Sequence, residues 1–371
     1  SGRPGPVLID VPQDGQLEEV PFADWPSPGR SDPPTAPAGD TVGQAGRMVT
    51  ESERPRLYLG GGVIHAGAAD AARHVAERAD MPVTTTTLAL GALPADHELS
   101  LGMLGMHAAP YTNLALEECD LLIAAGARFD DRATGRLAEF CPQAKVIHID
   151  IDPAEFNKLR NAHLTIQADV RLALEALVAI LPRQSRSGWR SRVDTLKSAH
   201  PAEWHRPDLP ADSPYRLIQT VAAMAGDAAI VTTDVGQHQM LVAQSFPFRR
   251  SRQLLTSGGL GTMGFGLPAA IGASLADPDR IVICFSGDGS FMMNNQELAT
   301  AAEWGVGVKV FLFNNHGLGL VHQQQHLFYG GRYQASEFEL KVDFPAMAQS
   351  MGVRAIDLAD AEDPWFAIDE E

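Results

Sequence analysis

Short apolar runs alternate with helical patterns twice along this chain, first between Arg56 and Pro182 and again from Pro214 onward. The first stretch reads RLYLGGG, a helix around His65 to Arg78, PVTTT, LLIAAG, KVIHIDID and LTIQAD. The second reads a helix to Ala225, AAIVTTD, QLLTSG, a helix through Pro268 to Leu275, IVICFSGD, another helix and KVFLFNN. Strands joined by helical crossovers are parallel, because a parallel partner needs a connection of a dozen or more residues. The alternation therefore predicts two α/β domains with parallel sheets, over 56–182 and 214–371. No repeat of 20 to 50 residues is visible, which excludes solenoids and propellers.

Between these stretches composition changes. From Gln13 to Pro55 prolines accumulate at 21, 26, 28, 33, 34 and 37, and residues 183–213 are polar with little periodicity, so 13–55 and 183–213 read as linkers. The run PVLIDVP in residues 1–12 is strand-like but has no partner nearby in sequence, and VRAIDL after Met351 is strand-like before an acidic tail. The chain reads as trimmed at both ends. Its formal net charge of −17 disfavours nucleic acid and anionic membranes as partners. There is no apolar run of spanning length and no signal-peptide pattern at the start, which reads as a cytoplasmic protein. Cys119, Cys141 and Cys284 lack metal or redox spacing and read as buried thiols.

The most specific chemistry lies at Gly287-Asp288-Gly289-Ser290 and Asn314-Asn315. IVICFSGD and KVFLFNN flank a helix of about Asn295 to Trp304, so a right-handed crossover makes their strands parallel and adjacent. Asp288 and Asn315 then emerge at the carboxyl edge of the sheet, where α/β proteins bind ligands. A carboxylate and an amide oxygen beside a Gly-rich turn suit Mg²⁺ holding a diphosphate, since that ion takes oxygen ligands and shares them with phosphate.

GDGSF…NN resembles the thiamin-diphosphate signature. With SGRPGPVLIDVP, LSLGMLGMH, ECDLLIAAGARFDDRATG, VIHIDIDPAE, TTDVGQHQM, LTSGGLGTMGFGLPAAIGA and QELATA, the chain is similar to the acetolactate synthase (acetohydroxyacid synthase) large-subunit family. The resemblance implies two Rossmann-like domains, the central one of FAD-binding type and the C-terminal one binding the diphosphate of thiamin diphosphate. It implies Mg²⁺ on Asp288, Asn315 and the Gly317 carbonyl. Gly287, Gly289 and Ser290 meet the diphosphate, and Val235, Gly236, Gln237 and His238 cover it. Met263 takes the position of the family's apolar wedge that keeps the cofactor bent. FAD contacts fall at Gly60, Gly61, Thr86, Leu104, Gly105, Met106, His107, Gly126, Arg128, Asp130, Arg132, Asp150 and Asp169. Gly60-Gly61-Gly62 is only part of a G-x-G-x-x-G fingerprint, with His65 in the third glycine's place. Residues 1–12 match the last strand of a pyrimidine-binding domain that holds the family's catalytic Glu. No Glu in this chain matches that position, so the resemblance implies that the chain alone lacks carboligase activity.

The implied reaction decarboxylates pyruvate and joins the two-carbon unit to a second 2-oxoacid, giving 2-acetolactate or 2-aceto-2-hydroxybutyrate for branched-chain amino-acid synthesis. The implied partners are further copies of the chain and a small regulatory subunit. Alternatives are another thiamin-diphosphate carboligase or decarboxylase, such as glyoxylate carboligase, and a non-enzymatic flavin-binding module; GDGSF…NN speaks against the last. Gln324 stands where the family commonly has a Trp that walls the acceptor 2-oxoacid, and is expected to weaken acceptor discrimination. His322 and His326 share a helical spacing without a third ligand, and read as a solvated face.

Overall fold

The computed structural model describes residues 2–25, 27, 29 and 33–361. Among the described residues ten strands form two parallel sheets. The first holds β1 (Pro55–Leu59), β2 (Val83–Thr85), β3 (Ser100–Met103), β4 (Leu121–Ala125), β5 (Lys145–Asp150) and β6 (Leu164–Gln167), in spatial order β3-β2-β1-β4-β5-β6. The second holds β7 (Ile230–Thr233), β8 (Leu254–Thr256), β9 (Val282–Gly287) and β10 (Val308–Phe313), in order β10-β9-β7-β8. All paired strands run parallel. Central strands β1 and β4 are buried throughout, as strands covered on both faces must be. The doubly wound α/β architecture expected from the alternation is the one observed.

Several local expectations are corrected. Residues 39–51, inside the stretch read as a linker, form the helix Gly39–Glu51. Its Val42, Ala45 and Val49 join the core of the first sheet, and Gly46 lies close against Ile180 of the helix Val170–Ile180. The stretch 183–213 likewise contains the helix Ser187–Ala199, which buries Trp189, Val193 and Leu196 against the helix Pro110–Glu117. PVLIDVP is extended but pairs with no strand among the described residues, and Leu8 is 92% exposed. VRAIDL forms no strand either, and Ile356 is exposed. Strand periodicity marks which residues can pair; a strand forms only where a neighbouring edge accepts its backbone. The three cysteines are buried and unbridged.

The domains meet where the helix Gln237–Ser245 and the segment after it touch β3 and its flanking loops. Gln244 Nε2 donates to the His107 carbonyl at 2.8 Å, and the Ala95 amide donates to the Phe248 carbonyl at 2.9 Å. Arg249 joins Asp96 at 3.0 Å across the same junction, and is itself held by Asp227 of its own domain.

Candidate functional site

Each sheet has one point at which strand order reverses, between β1 and β4 in the first and between β7 and β9 in the second. Ligands of open α/β sheets bind in the crevice outside the carboxyl ends at such points. The turn Asp234–Gln237 follows β7 and the turn at Asp288 follows β9, so both flank the second crevice. Strands β9 and β10 pair in register, Phe313 opposite Gly287, which brings Asn315 beside Asp288.

Asp288 is 3% exposed. Its Oδ1 accepts from the Gly289 amide at 2.9 Å and its Oδ2 from the Gly317 amide at 3.0 Å. The Asn315 side-chain amide lies 3.3 Å from Asp288 Oδ1 and 2.9 Å from the Gly317 carbonyl oxygen. With its nitrogen turned inward it donates to both; with its oxygen inward, three oxygens face one point. That donor set, one carboxylate, one amide and one peptide carbonyl, fits a hard divalent cation that completes its shell with phosphate and water. Among the described residues no group of three His, Cys, Asp or Glu is gathered as a metal site.

His238 lies in the first turn of the helix Gln237–Ser245 and is 4% exposed. Its ring fills the space beside Gly287, where a Cβ would stand 2.7 Å from Nδ1. Burial pushes its pKa down to about 4, so the ring is neutral near pH 7. Its Nε2 is buried with no hydrogen-bond partner, an orphaned polar atom of the kind a ligand satisfies. Gln237 Oε1 reaches Gly319, where the Asn315 amide also lies, so three segments converge over Asp288. Val235 and Gly236 are half-buried in the turn that leads into them. Ser290 is buried, and its Oγ accepts weakly from the Gly287 amide at 3.4 Å. Leu318 and Phe338 pack against Gly289.

Asp234, which sequence reasoning did not single out, organises the crevice. It is 1% exposed and accepts from the amides of Val235 and Gly264 at 2.8 Å each and of Gly266 at 3.3 Å. Ser286 Oγ donates to it at 3.4 Å. One carboxylate thus ties the end of β7 to the loop carrying Met263 and to β9. Its signal was a strand ending in Asp at a reversal of strand order. Met263 is half-buried in that loop, next to Gly264. Gln324 is half-buried on the helix Gly319–Phe328. Its neighbour Gln325 binds Gln334 and Ser336 and so holds the following loop. His322 stacks on Tyr333 at 3.9 Å between ring centres and His326 Nδ1 lies 2.8 Å from the Tyr333 hydroxyl, so the two histidines serve that loop.

In the first sheet, Gly60 and Gly61 follow β1 and Gly126 follows β4, on the two sides of the reversal. A Cβ at Gly60 would run into the Gly126 carbonyl, and one at Gly62 would stand 2.7 Å from the Gly126 Cα. These glycines let two turns pack backbone to backbone. Thr86 Oγ1 and Thr85 Oγ1 are buried without partners at the end of β2. Leu104 is buried, Met106 is exposed, and the Met106 amide donates to the Arg132 carbonyl at 3.1 Å, with Gly105 in contact with the same segment. Burial lowers the His107 pKa. Arg128 and Asp130 stand 3.9 Å apart, both close to half-exposed. Asp130 caps the helix Asp131–Thr134, and Asp169 caps Val170–Ile180. Asp150 is buried at the end of β5, accepts from the Asp152 amide at 2.9 Å, and has its pKa raised by burial. Orphaned hydroxyls, exposed arginines and a buried carboxylate along one edge fit a dinucleotide, whose hydroxyls and phosphates need both donors and acceptors.

Comparison with known proteins gives the same two-part division. The family model for the thiamine pyrophosphate enzyme central domain matches residues 42–177. The model for the thiamine pyrophosphate enzyme C-terminal TPP binding domain matches residues 234–369. The chain is 51% identical over 372 residues to the acetolactate synthase isozyme 1 large subunit of Escherichia coli (strain K12), covering 100% of this chain and 65% of that protein. It is 46% identical over 371 residues to the acetolactate synthase large subunit of Parasynechococcus marenigrum (strain WH8102), covering 98% of this chain and 60% of the relative. Against acetolactate synthase 2, chloroplastic, of Nicotiana tabacum the identity is 42%, over 99% of this chain and 58% of the relative. The chain therefore spans about three fifths of the length of these relatives.

Proposed function

The chain belongs to the thiamine pyrophosphate enzyme family, of which it carries the central and C-terminal domains, and from that premise we propose that it is the cofactor-holding part of an acetolactate synthase large subunit. The observation that carries this reading is the convergence of Asp288, the Asn315 amide and the Gly317 carbonyl at the strand-order reversal of the second sheet. Bound thiamin diphosphate supplies the electron sink that loss of CO₂ from a 2-oxoacid requires. The residues of this chain bind and orient. Asp288, Asn315 and Gly317 hold Mg²⁺ against the diphosphate, with Gly287, Gly289, Ser290, Gln237 and neutral His238 around it. Asp234 fixes the Met263 loop so that its apolar side chain supports the cofactor from one side. Gln324 borders the acceptor 2-oxoacid.

The first sheet holds FAD along Gly60, Gly61, Thr86, Leu104–His107, Gly126, Arg128, Asp130, Arg132 and Asp150, with Asp169 acting there as a helix cap. The substrates are pyruvate and a second 2-oxoacid. Exposed Leu327, Phe328 and Tyr329 at the end of the helix that carries Gln324 support assembly with further copies, and the large-subunit relatives support a small regulatory subunit. No helix among the described residues is long and apolar enough to cross a membrane, and we infer a cytoplasmic setting from the bacterial relatives. Titration of the chain with thiamin diphosphate, with and without Mg²⁺, tests the site, and acetolactate formation from pyruvate by the intact enzyme tests the activity. Cofactor binding that is indifferent to Mg²⁺ would remove the metal assignment.

A further inference from the structure

A cavity of about 510 Å³ runs along the outer edge of β3, where the first domain meets the end of the helix Gln237–Ser245. Its size is that of a small-molecule site. Its apolar walls come from Leu93, Leu101, Tyr111, Trp204, Phe246 and Phe248. Of its charged side chains, Asp96 is joined to Arg249 at 3.0 Å and Glu98 to Arg190 at 2.7 Å. Lys197, half-buried on the helix Ser187–Ala199, has no ion pair among the described residues. Asp194 one turn earlier attracts it, while Arg56 and Arg190 oppose its charge, and burial is the largest influence, lowering its pKa. His205 lines the same wall, and its pKa is lowered by burial and then by Lys197. With Asp96 and Glu98 already paired to arginines, Lys197 is, among the described residues, the unpaired charge in a lining of mixed polar and apolar side chains, the complement of one negative charge carried on a partly apolar body.

We propose that this cavity binds an amphipathic monocarboxylate, its carboxylate on Lys197 and its apolar tail against Leu101, Trp204 and Phe248. The unpaired Lys197 sets one negative charge, and Leu101, Trp204 and Phe248 offer apolar contact to a short hydrocarbon tail. The helix Gln237–Ser245 carries Gln237 and His238 at its first turn, and Ala243 and Gln244 at its other end line the cavity. An occupant therefore touches the same rigid element that reaches the second crevice.

Hexanoate is the probe, with hexanol as its uncharged counterpart, both titrated calorimetrically into the chain and its Lys197→Met variant. Saturable hexanoate binding should weaken at least about tenfold in Lys197→Met, as expected for the loss of one charge-assisted contact. Hexanol should bind both proteins alike, and Lys197→Arg should keep most of the hexanoate affinity. Hydrogen exchange should slow within residues 90–103 and 243–248 on hexanoate addition. Equal hexanoate affinity in Lys197→Met, absence of saturation, or slowing confined to other segments would overturn the proposal. Displacement of hexanoate by FAD would also overturn it, by assigning the cavity to the flavin site through their shared wall at His107.

Discussion

The two carboxyl edges share a topological device, a strand-order reversal, yet use their polar groups differently. On the first edge the carboxylates are largely committed to the chain itself: Asp130 and Asp169 cap helices and Asp150 binds the Asp152 amide. There the turns pack backbone to backbone through glycine. On the second edge one carboxylate, Asp234, does the holding. Asp288, which also accepts the Gly289 and Gly317 amides, converges with the Asn315 amide and the Gly317 carbonyl on one point, and His238 Nε2 is left without a partner. A small, highly charged ligand part needs a few convergent groups; a long dinucleotide is met by many dispersed ones. The second edge therefore concentrates its chemistry in residues whose loss separates binding from folding.

The largest effect should come from Asp234→Ala. It strands the two buried amides of Gly264 and Gly266 and the part-buried one of Val235; at about 1–3 kcal/mol per buried unsatisfied amide, roughly 2–6 kcal/mol of stability should be lost in a denaturant titration. On the first edge Asp169→Ala removes one helix cap and should cost only about 0.5–2 kcal/mol. Equal losses would break the contrast between a clamp and a cap.

A pH titration of stability sharpens the contrast next. His238 has a folded pKa depressed from 6.5 to about 4, so it is neutral in the folded chain while the unfolded chain takes up a proton below 6.5. The stability that depends on this neutral form is present above pH 6.5 and is lost as pH falls towards 4, an effect of about 3 kcal/mol at 1.36 kcal/mol per pKa unit. Subtracting the curve of His238→Gln isolates it from the carboxylates. A difference curve flat between pH 7 and 4 would show the ring to be solvated.

Asp288→Ala should separate function from fold. Thiamin diphosphate affinity in Mg²⁺ should fall by at least about 2 kcal/mol, or roughly 30-fold, because the cation would lose its one anionic ligand from the protein. The unfolding midpoint should also fall, but less than in Asp234→Ala, since Asp288 holds two backbone amides against three. An unchanged affinity would shift the metal away from Asp288.

The same contrast explains what could be read in advance. Strand-forming runs marked nine of the ten strands, of which central ones such as β1 and β4 are buried on both faces; β3 was hidden in LSLGM, whose serine and glycine weaken the strand pattern. Two 13-residue helices inside the stretches read as linkers were missed for a related reason. Val42, Ala45 and Val49 recur at helical spacing, but prolines just upstream dominated the composition of that stretch. In residues 187–199 charged side chains outnumber the buried Trp189, Val193 and Leu196, and several are tied to neighbouring elements, Arg190 to Asp80 and Arg192 to Glu118. Asp288 and Asn315 were legible because their spacing implies adjacent strands. Asp234 was not, since its closest partners are backbone amides from 1 to 32 residues away, which leave no residue-type signature beyond an Asp at a strand end.

The smallest effect expected is at Gln324, and it rests on the proposed reaction. Gln324 is half-buried on the helix Gly319–Phe328, whose exposed Leu327 and Phe328 show that this face is only partly covered. An indole at 324 would lay a flat apolar surface where the amide now stands, and a polar amide gives up water unwillingly unless it is paired. One methylene in an apolar pocket is worth about 1–3 kcal/mol of discrimination, and the low end applies to a wall that stays partly solvated. Gln324→Trp in the intact enzyme should therefore raise the ratio of 2-aceto-2-hydroxybutyrate to 2-acetolactate by about fivefold to tenfold when 2-oxobutyrate and pyruvate compete, with stability unchanged. Gln325→Ala, one residue on, should instead loosen the loop held through Gln334 and Ser336 and slow turnover of both acceptors alike. A product ratio that moves with Gln325 and not with Gln324 would place the acceptor wall on the loop instead of the helix.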